Sequence, residues 1–181
     1  MELVSTRSPE RNFAIALHEA GHAIAAVRLG FEVTRVTIEP NEEFSGRCEI
    51  VDSMFLDLRA VKHGQLFLLA GHATDLANGV PLELAREIAE ADRWFARTVR
   101  TQLGLRRERP WLARARRFVR DPANHRAIEL LASVLFFCHT LDGNDVGRVV
   151  RVADGTDEVA TAWFRSRMAP FADKLGIAIC L

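Results

Sequence analysis

Apolar residues near the start of the chain recur at helical spacing. Phe13, Leu17, Ile24 and Val27 lie four, seven and three positions apart, the stripe of a helix that buries one face. Ser8 can cap that helix, Pro9 suits its first position, and Glu10 favours the positive end of its dipole. Gly30 can close it in the left-handed conformation. The pattern predicts a helix over 9–29. Residues 31–39 then turn to β-branched types, with Val33, Val36 and Ile38, until Pro40-Asn41 breaks the run. A second short strand is expected at 47–51. Joined by NEEFSG, the two make a small hairpin that needs helices against it.

Beyond Ser53 the periodicity is helical. Helices are expected at about 55–77, closed by Asn78-Gly79, and at 81–103, closed by Gly104. A shorter one follows Pro110. Asp121-Pro122 opens another that reaches about Leu141, and 145–152 and 157–168 form the last two. The expected fold is mainly α, with a small β-hairpin or sheet near the N-terminus.

Composition narrows the function classes. In 181 residues, 24 are Lys or Arg and 24 are Asp or Glu, so the formal net charge is zero. Dedicated nucleic-acid binding needs an excess of cations over phosphates, and none is expected here. Cys48, Cys138 and Cys180 form no C-x-x-C pair, which argues against a disulfide framework or a cysteine zinc site. The first residues lack the apolar segment of a signal peptide, and no run of about 20 apolar residues occurs. The expectation is a cytoplasmic protein without membrane segments, forming one domain over 1–181.

The chemistry sits in the first helix. Residues 18–22 read His-Glu-Ala-Gly-His. Spacing of four places His18 and His22 one turn apart on one face, where both imidazoles can reach a single metal ion. Glu19 lies beside that face, where its carboxylate can act as general base on a metal-activated water. Zinc suits two imidazoles and a carboxylate. Gly21, in a helix interior, costs about 1 kcal/mol relative to Ala, so close approach of another backbone is expected there.

The segment ALHEAGHAIAAVRLGFEVTRVTIEP resembles the start of the FtsH-type zinc peptidase domain, which carries HEAGHA, a leucine-glycine helix end and a V-x-x-V-T-I-x-P strand with a glycine nearby, here Gly46. LLAGHATDLANG is similar to that family's AGR-x-A-E-x-x-x-G helix, with Asp75 at the glutamate position. NHRAIELLASVLFFCHTLDGNDV is similar to its C-terminal helix ending in T-L-D-G. The resemblance covers about 8–152 and leaves 153–181 as a helical extension. It implies a third zinc ligand, an aspartate at the start of a helix, for which Asp92 is the best match. The family has a Thr/Gly/Ser-rich loop before that aspartate, whereas this chain has LELAREIAEA, which reads as continuous helix and leaves Glu87 and Glu90 as competitors. No G-x-x-x-x-G-K-[ST] phosphate loop is present, so the family's ATPase module has no counterpart in the sequence.

The resemblance implies a zinc metalloendopeptidase acting on peptides or unfolded protein, working without its own ATPase, as a homo-oligomer or beside a separate partner protein. Two other readings stand beside it. One is a zinc-binding regulatory module without proteolysis, and the other is a hydrolase of non-peptide amides. The strand at 31–39 offers a sheet edge to which an extended substrate can add. His63, His72, His125 and His139 show no ligand spacing and read as surface or satisfied core residues. Trp94, Trp111 and Trp163 read as helix-packing positions. Residues 106–120 hold seven arginines and one acidic residue, a segment open to reading as an anion or nucleic-acid patch or as a cover for the acidic face of Glu83, Glu87 and Glu90, and the zero net charge favours a solvated or salt-bridged face.

Overall fold

The protein is described by a computed structural model that covers residues 7–51, 58–105 and 107–171, with the backbone alone at 58–61. Helix α1, Pro9–Leu29, starts and ends where its caps dictate. Ser8 Oγ accepts from the Arg11 N–H at 3.3 Å, and Gly30 has φ 82°. The Gly30 N–H reaches the Val27 carbonyl and that of Phe31 the Ala26 carbonyl, a Schellman closure. Every residue from Ala14 to Ala26 is buried. A helix covered on all sides cannot be a surface helix, and α1 is the axis on which the rest is assembled.

Helix α2, Leu58–Ala77, and helix α6, Pro122–Cys138, lie against it. Crossing of α1 and α2 is close because both carry a glycine at the contact. A β-carbon on Gly21 would meet the Thr74 side chain and the Ala70 carbonyl oxygen, so the expected close approach is present and justifies the lost helix propensity. The N-terminus of α6 follows its sequence signal, since Asp121 accepts from the Ala123 and Asn124 N–H groups at 3.1 and 3.3 Å, with Pro122 next.

A three-stranded antiparallel sheet in the order β2-β1-β3 packs on the other side of α1. Strand β1 is Val33–Thr37 and β2 is Arg47–Ile50, with Val36 opposite Cys48. Asn41 shapes their connection, its side chain accepting from the Glu43 and Phe44 N–H groups at 2.9 and 2.7 Å. The third strand corrects the sequence reading twice, since β1 is paired with β2 on one side and β3 on the other and the free edge expected at 31–39 is absent. Helix α6 stops at Cys138 rather than near Leu141, and β3, Thr140–Asp142, pairs with β1. His139 turns the chain with φ 60°, and its carbonyl accepts from the Ile38 N–H at 2.9 Å. Sheet pairing therefore captures residues whose apolar pattern continues the helix.

The segment 81–103 also differs from expectation. It is two helices, α3 over Leu82–Ile88 and α4 over Glu90–Gln102, broken at the buried Ala89. No glycine or proline marks the break. His72 of α2 packs against the middle of α3, with Nδ1 3.3 Å from the Ala85 carbonyl, and that carbonyl also keeps its bond from the Ala89 N–H. Helices α5 (Arg109–Val119), α7 (Gly143–Asp154) and α8 (Glu158–Met168) complete the described chain. The start expected for α2 near 55 falls outside the described residues. Among them, no helix is long and apolar enough to cross a membrane.

Candidate metal centre

Only three polar side chains lie in the buried stretch of α1: His18, Glu19 and His22. Burying them is costly unless each is satisfied, and for the histidines the neighbours are specific. His18 Nδ1 lies 2.7 Å from Asp75 Oδ2 on α2, and His22 Nδ1 lies 2.8 Å from the Phe67 carbonyl oxygen. Because a carbonyl oxygen only accepts, the His22 Nδ1 carries the proton and donates it there. The carboxylate has the same effect on His18. Both Nε2 atoms are thereby turned toward each other, 3.1 Å apart. Asp92 Oδ2 completes a triangle, 2.9 Å from His18 Nε2 and 3.1 Å from His22 Nε2.

The break at Ala89 explains how Asp92 gets there. It begins a new helix, so Asp92 stands in the first turn of α4 and not inside a continuous one. Glu87 instead forms an ion pair with Arg11 at 2.5 Å, and Glu90 is exposed at the rim of the cleft. Among the described residues, His18, His22 and Asp92 are the one group of three whose ligand atoms converge as a metal ion requires.

The surroundings favour positive charge at this point. Burial opposes charge on His18, yet the carboxylates of Asp75 and Asp92 hold its pKa well above the usual histidine value. Burial likewise opposes charge on Asp92, and His22 and His18 nevertheless draw its carboxyl below the usual range. Asp75 is fully buried and its Oδ1 has no hydrogen-bond partner among the described residues. A buried carboxylate there is stabilised by positive charge on or behind its histidine, and the carboxylate–histidine–metal relay is one form of that arrangement. The donor set and its outer partners therefore fit a metal ion.

Space for the triangle comes from α2. A β-carbon on Gly71 would collide with Nε2 of both histidines. Glu19 is held differently. Burial pushes its carboxyl up to about 7, partly offset by His18 and His22. It accepts no hydrogen bond among the described residues. Gly46, just before β2, leaves it room, since a β-carbon there would press on the Glu19 carboxylate and on Ile15.

Glu19, His22 and Asp92 open into a cleft of about 530 Å³. Gly46, Arg47 and Cys48 of the β2 edge form one wall, and Phe44, Phe67, Ile88 and Trp94 contribute apolar surface. Trp94 is 62% exposed and belongs to this wall rather than to helix packing, unlike Trp111 and Trp163, which rest against the core. Burial, and the carboxylates of Glu19 and Asp92, push the Cys48 thiol well above its ordinary pKa, so it is a poor nucleophile.

Sequence reasoning placed Asp75 in a matching position but gave it no task, and it missed Gly71 and the Phe67 carbonyl. The signal for Asp75 was present as a lone carboxylate in the apolar run of α2. No signal marks a backbone carbonyl. No protein-family model matches the chain, and no curated protein sequence matches it.

Proposed function

We propose that the protein is a zinc-dependent metallopeptidase of FtsH-like type that hydrolyses peptide bonds. The observation that carries this reading is the convergence of His18 Nε2, His22 Nε2 and Asp92 Oδ2 in a cleft that also holds the buried, unpartnered Glu19. Zinc held by His18, His22 and Asp92 would supply a Lewis acid that polarises the scissile carbonyl and makes water at the site nucleophilic near neutral pH. Glu19 takes a proton from the attacking water and returns it to the departing amine nitrogen. Asp75 and the Phe67 carbonyl hold the two imidazoles in the tautomer that leaves Nε2 free.

The edge of β2 supports an extended substrate. Its residues 46–48 line the cleft beside Glu19, and β2 is an outer strand of the sheet, so a peptide can add to it as a further strand. The test is cleavage of unfolded casein and of a peptide library by the zinc-loaded protein. Cleavage that a chelator abolishes and zinc restores is the expected result. Full zinc occupancy with no cleavage of any peptide would overturn the reading in favour of a regulatory zinc-binding module.

A further inference from the structure

The arginines of α5 stand apart from those of the rest of the surface. Elsewhere many arginines find carboxylates, as Arg11 does with Glu87, Arg28 with Asp154, Arg148 with Asp145 and Arg151 with Asp157, and the exposed Arg86, Arg97 and Arg167 that make no ion pair among the described residues are scattered rather than clustered. On α5 and its C-cap, Arg109, Arg114, Arg116, Arg117 and Arg120 are all exposed, and none makes an ion pair among the described residues. They form the solvated face that the sequence allowed and make no ion pair with Glu83, Glu87 or Glu90. The one carboxylate within the arginine segment, Glu108, is drawn inward to Arg93 and Arg100 at 3.3 and 3.9 Å.

This arrangement carries a cost. Arg116 and Arg120 are four apart on the helix, and Arg117 and Arg120 three apart, so their like charges repel. Solubility alone does not require such a pattern in a chain with balanced charge. Spacings of seven and four put Arg109, Arg116 and Arg120 on one face, while Ala115 and Val119 fix the opposite side in the core. That face and Arg117 form a groove of about 710 Å³, with Leu112 and Ala113 among the arginines and Asp121, whose side chain is already engaged as the cap of α6, as its one carboxylate.

We propose that the arginine groove of α5 is a docking surface for an acidic, amphipathic segment of a partner protein. Guanidinium forks match carboxylates in two-point contacts, and the apolar strip of Leu112 and Ala113 receives a small apolar side chain between them. A nucleic acid fits less well, because no aromatic residue lines the groove for bases to stack on and the chain has no net positive charge. The proposal does not depend on the chemistry of the cleft.

The test is fluorescence anisotropy with a labelled amphipathic peptide of glutamates and leucines, alongside a labelled oligouridine RNA. The variants are the triple Arg116→Gln/Arg117→Gln/Arg120→Gln and, as a surface control, Arg167→Gln. The wild type should bind the peptide in a salt-sensitive way. The triple variant should bind at least about tenfold more weakly, with a melting temperature equal to or above wild type because repulsion is relieved, and the control should bind as wild type does. No peptide binding by wild type, or equal binding by the triple variant, overturns the proposal. Tighter binding of RNA than of peptide overturns it in favour of a nucleic-acid face. Self-association of wild type that the triple variant loses overturns it in favour of a second copy of the chain.

Discussion

Glu19→Gln should retain zinc and fold normally while losing peptide cleavage by at least about 100-fold, the lower range for removing a general base. Its stability should not fall, because Glu19 accepts no hydrogen bond among the described residues, and a neutral amide costs less to bury than a carboxylate whose pKa burial has already raised to about 7. Zinc content and thermal melting of the variant would match wild type. Only turnover would change. Full turnover by a zinc-loaded Glu19→Gln protein would remove Glu19 from the chemistry.

Gly71→Ala should cost the protein its metal and leave the fold in place. The added β-carbon would collide with Nε2 of His18 and His22. Both rings are buried and held at Nδ1 by Asp75 and the Phe67 carbonyl, so moving them aside also strains those hydrogen bonds. Helix propensity returns about 1 kcal/mol for replacing an interior glycine, and crowding costs about 1–3 kcal/mol. The cost exceeds the gain, so the metal-free variant should stay folded but melt below metal-free wild type. The metal site has no such compensation, since swinging either ring breaks the 3.1 Å approach of the two Nε2 atoms. Zinc affinity should drop at least about 100-fold. Zinc binding at wild-type affinity would show that Gly71 does not shape the site.

The sequence revealed elements whose ends are set by local chemistry. Helix α1 runs over the predicted residues because Ser8, Pro9 and Gly30 each act within one turn. The starts of α6 and α8 follow Asp121 and Asp157 for the same reason. It concealed elements decided by long-range pairing. Residues 140–142 carry a helical apolar pattern, and only β1 makes them a strand. The break at Ala89 has no punctuating residue, and it is this break that brings Asp92 to the histidines.

The same division holds at the site. His18 and His22 were legible because their spacing alone puts them on one face. Asp92 could be named only through a resemblance, with Glu87 and Glu90 in competition, because 70 residues of chain separate it from His22. Geometry separates the three: Arg11 takes Glu87, Glu90 stays at the rim, and Asp92 reaches both imidazoles. On α5 the arginines are the solvated rather than the salt-bridged face that the sequence left open, and the inward turn of Glu108 is an orientation that a charge count along the chain does not contain.

The most direct measurement is zinc content per chain by elemental analysis after reconstitution, on wild type, His22→Ala and Asp92→Ala. One site with three protein ligands predicts about one zinc in wild type and almost none in either variant. No zinc in wild type, or zinc retained in full by Asp92→Ala, would contradict the metal centre described here.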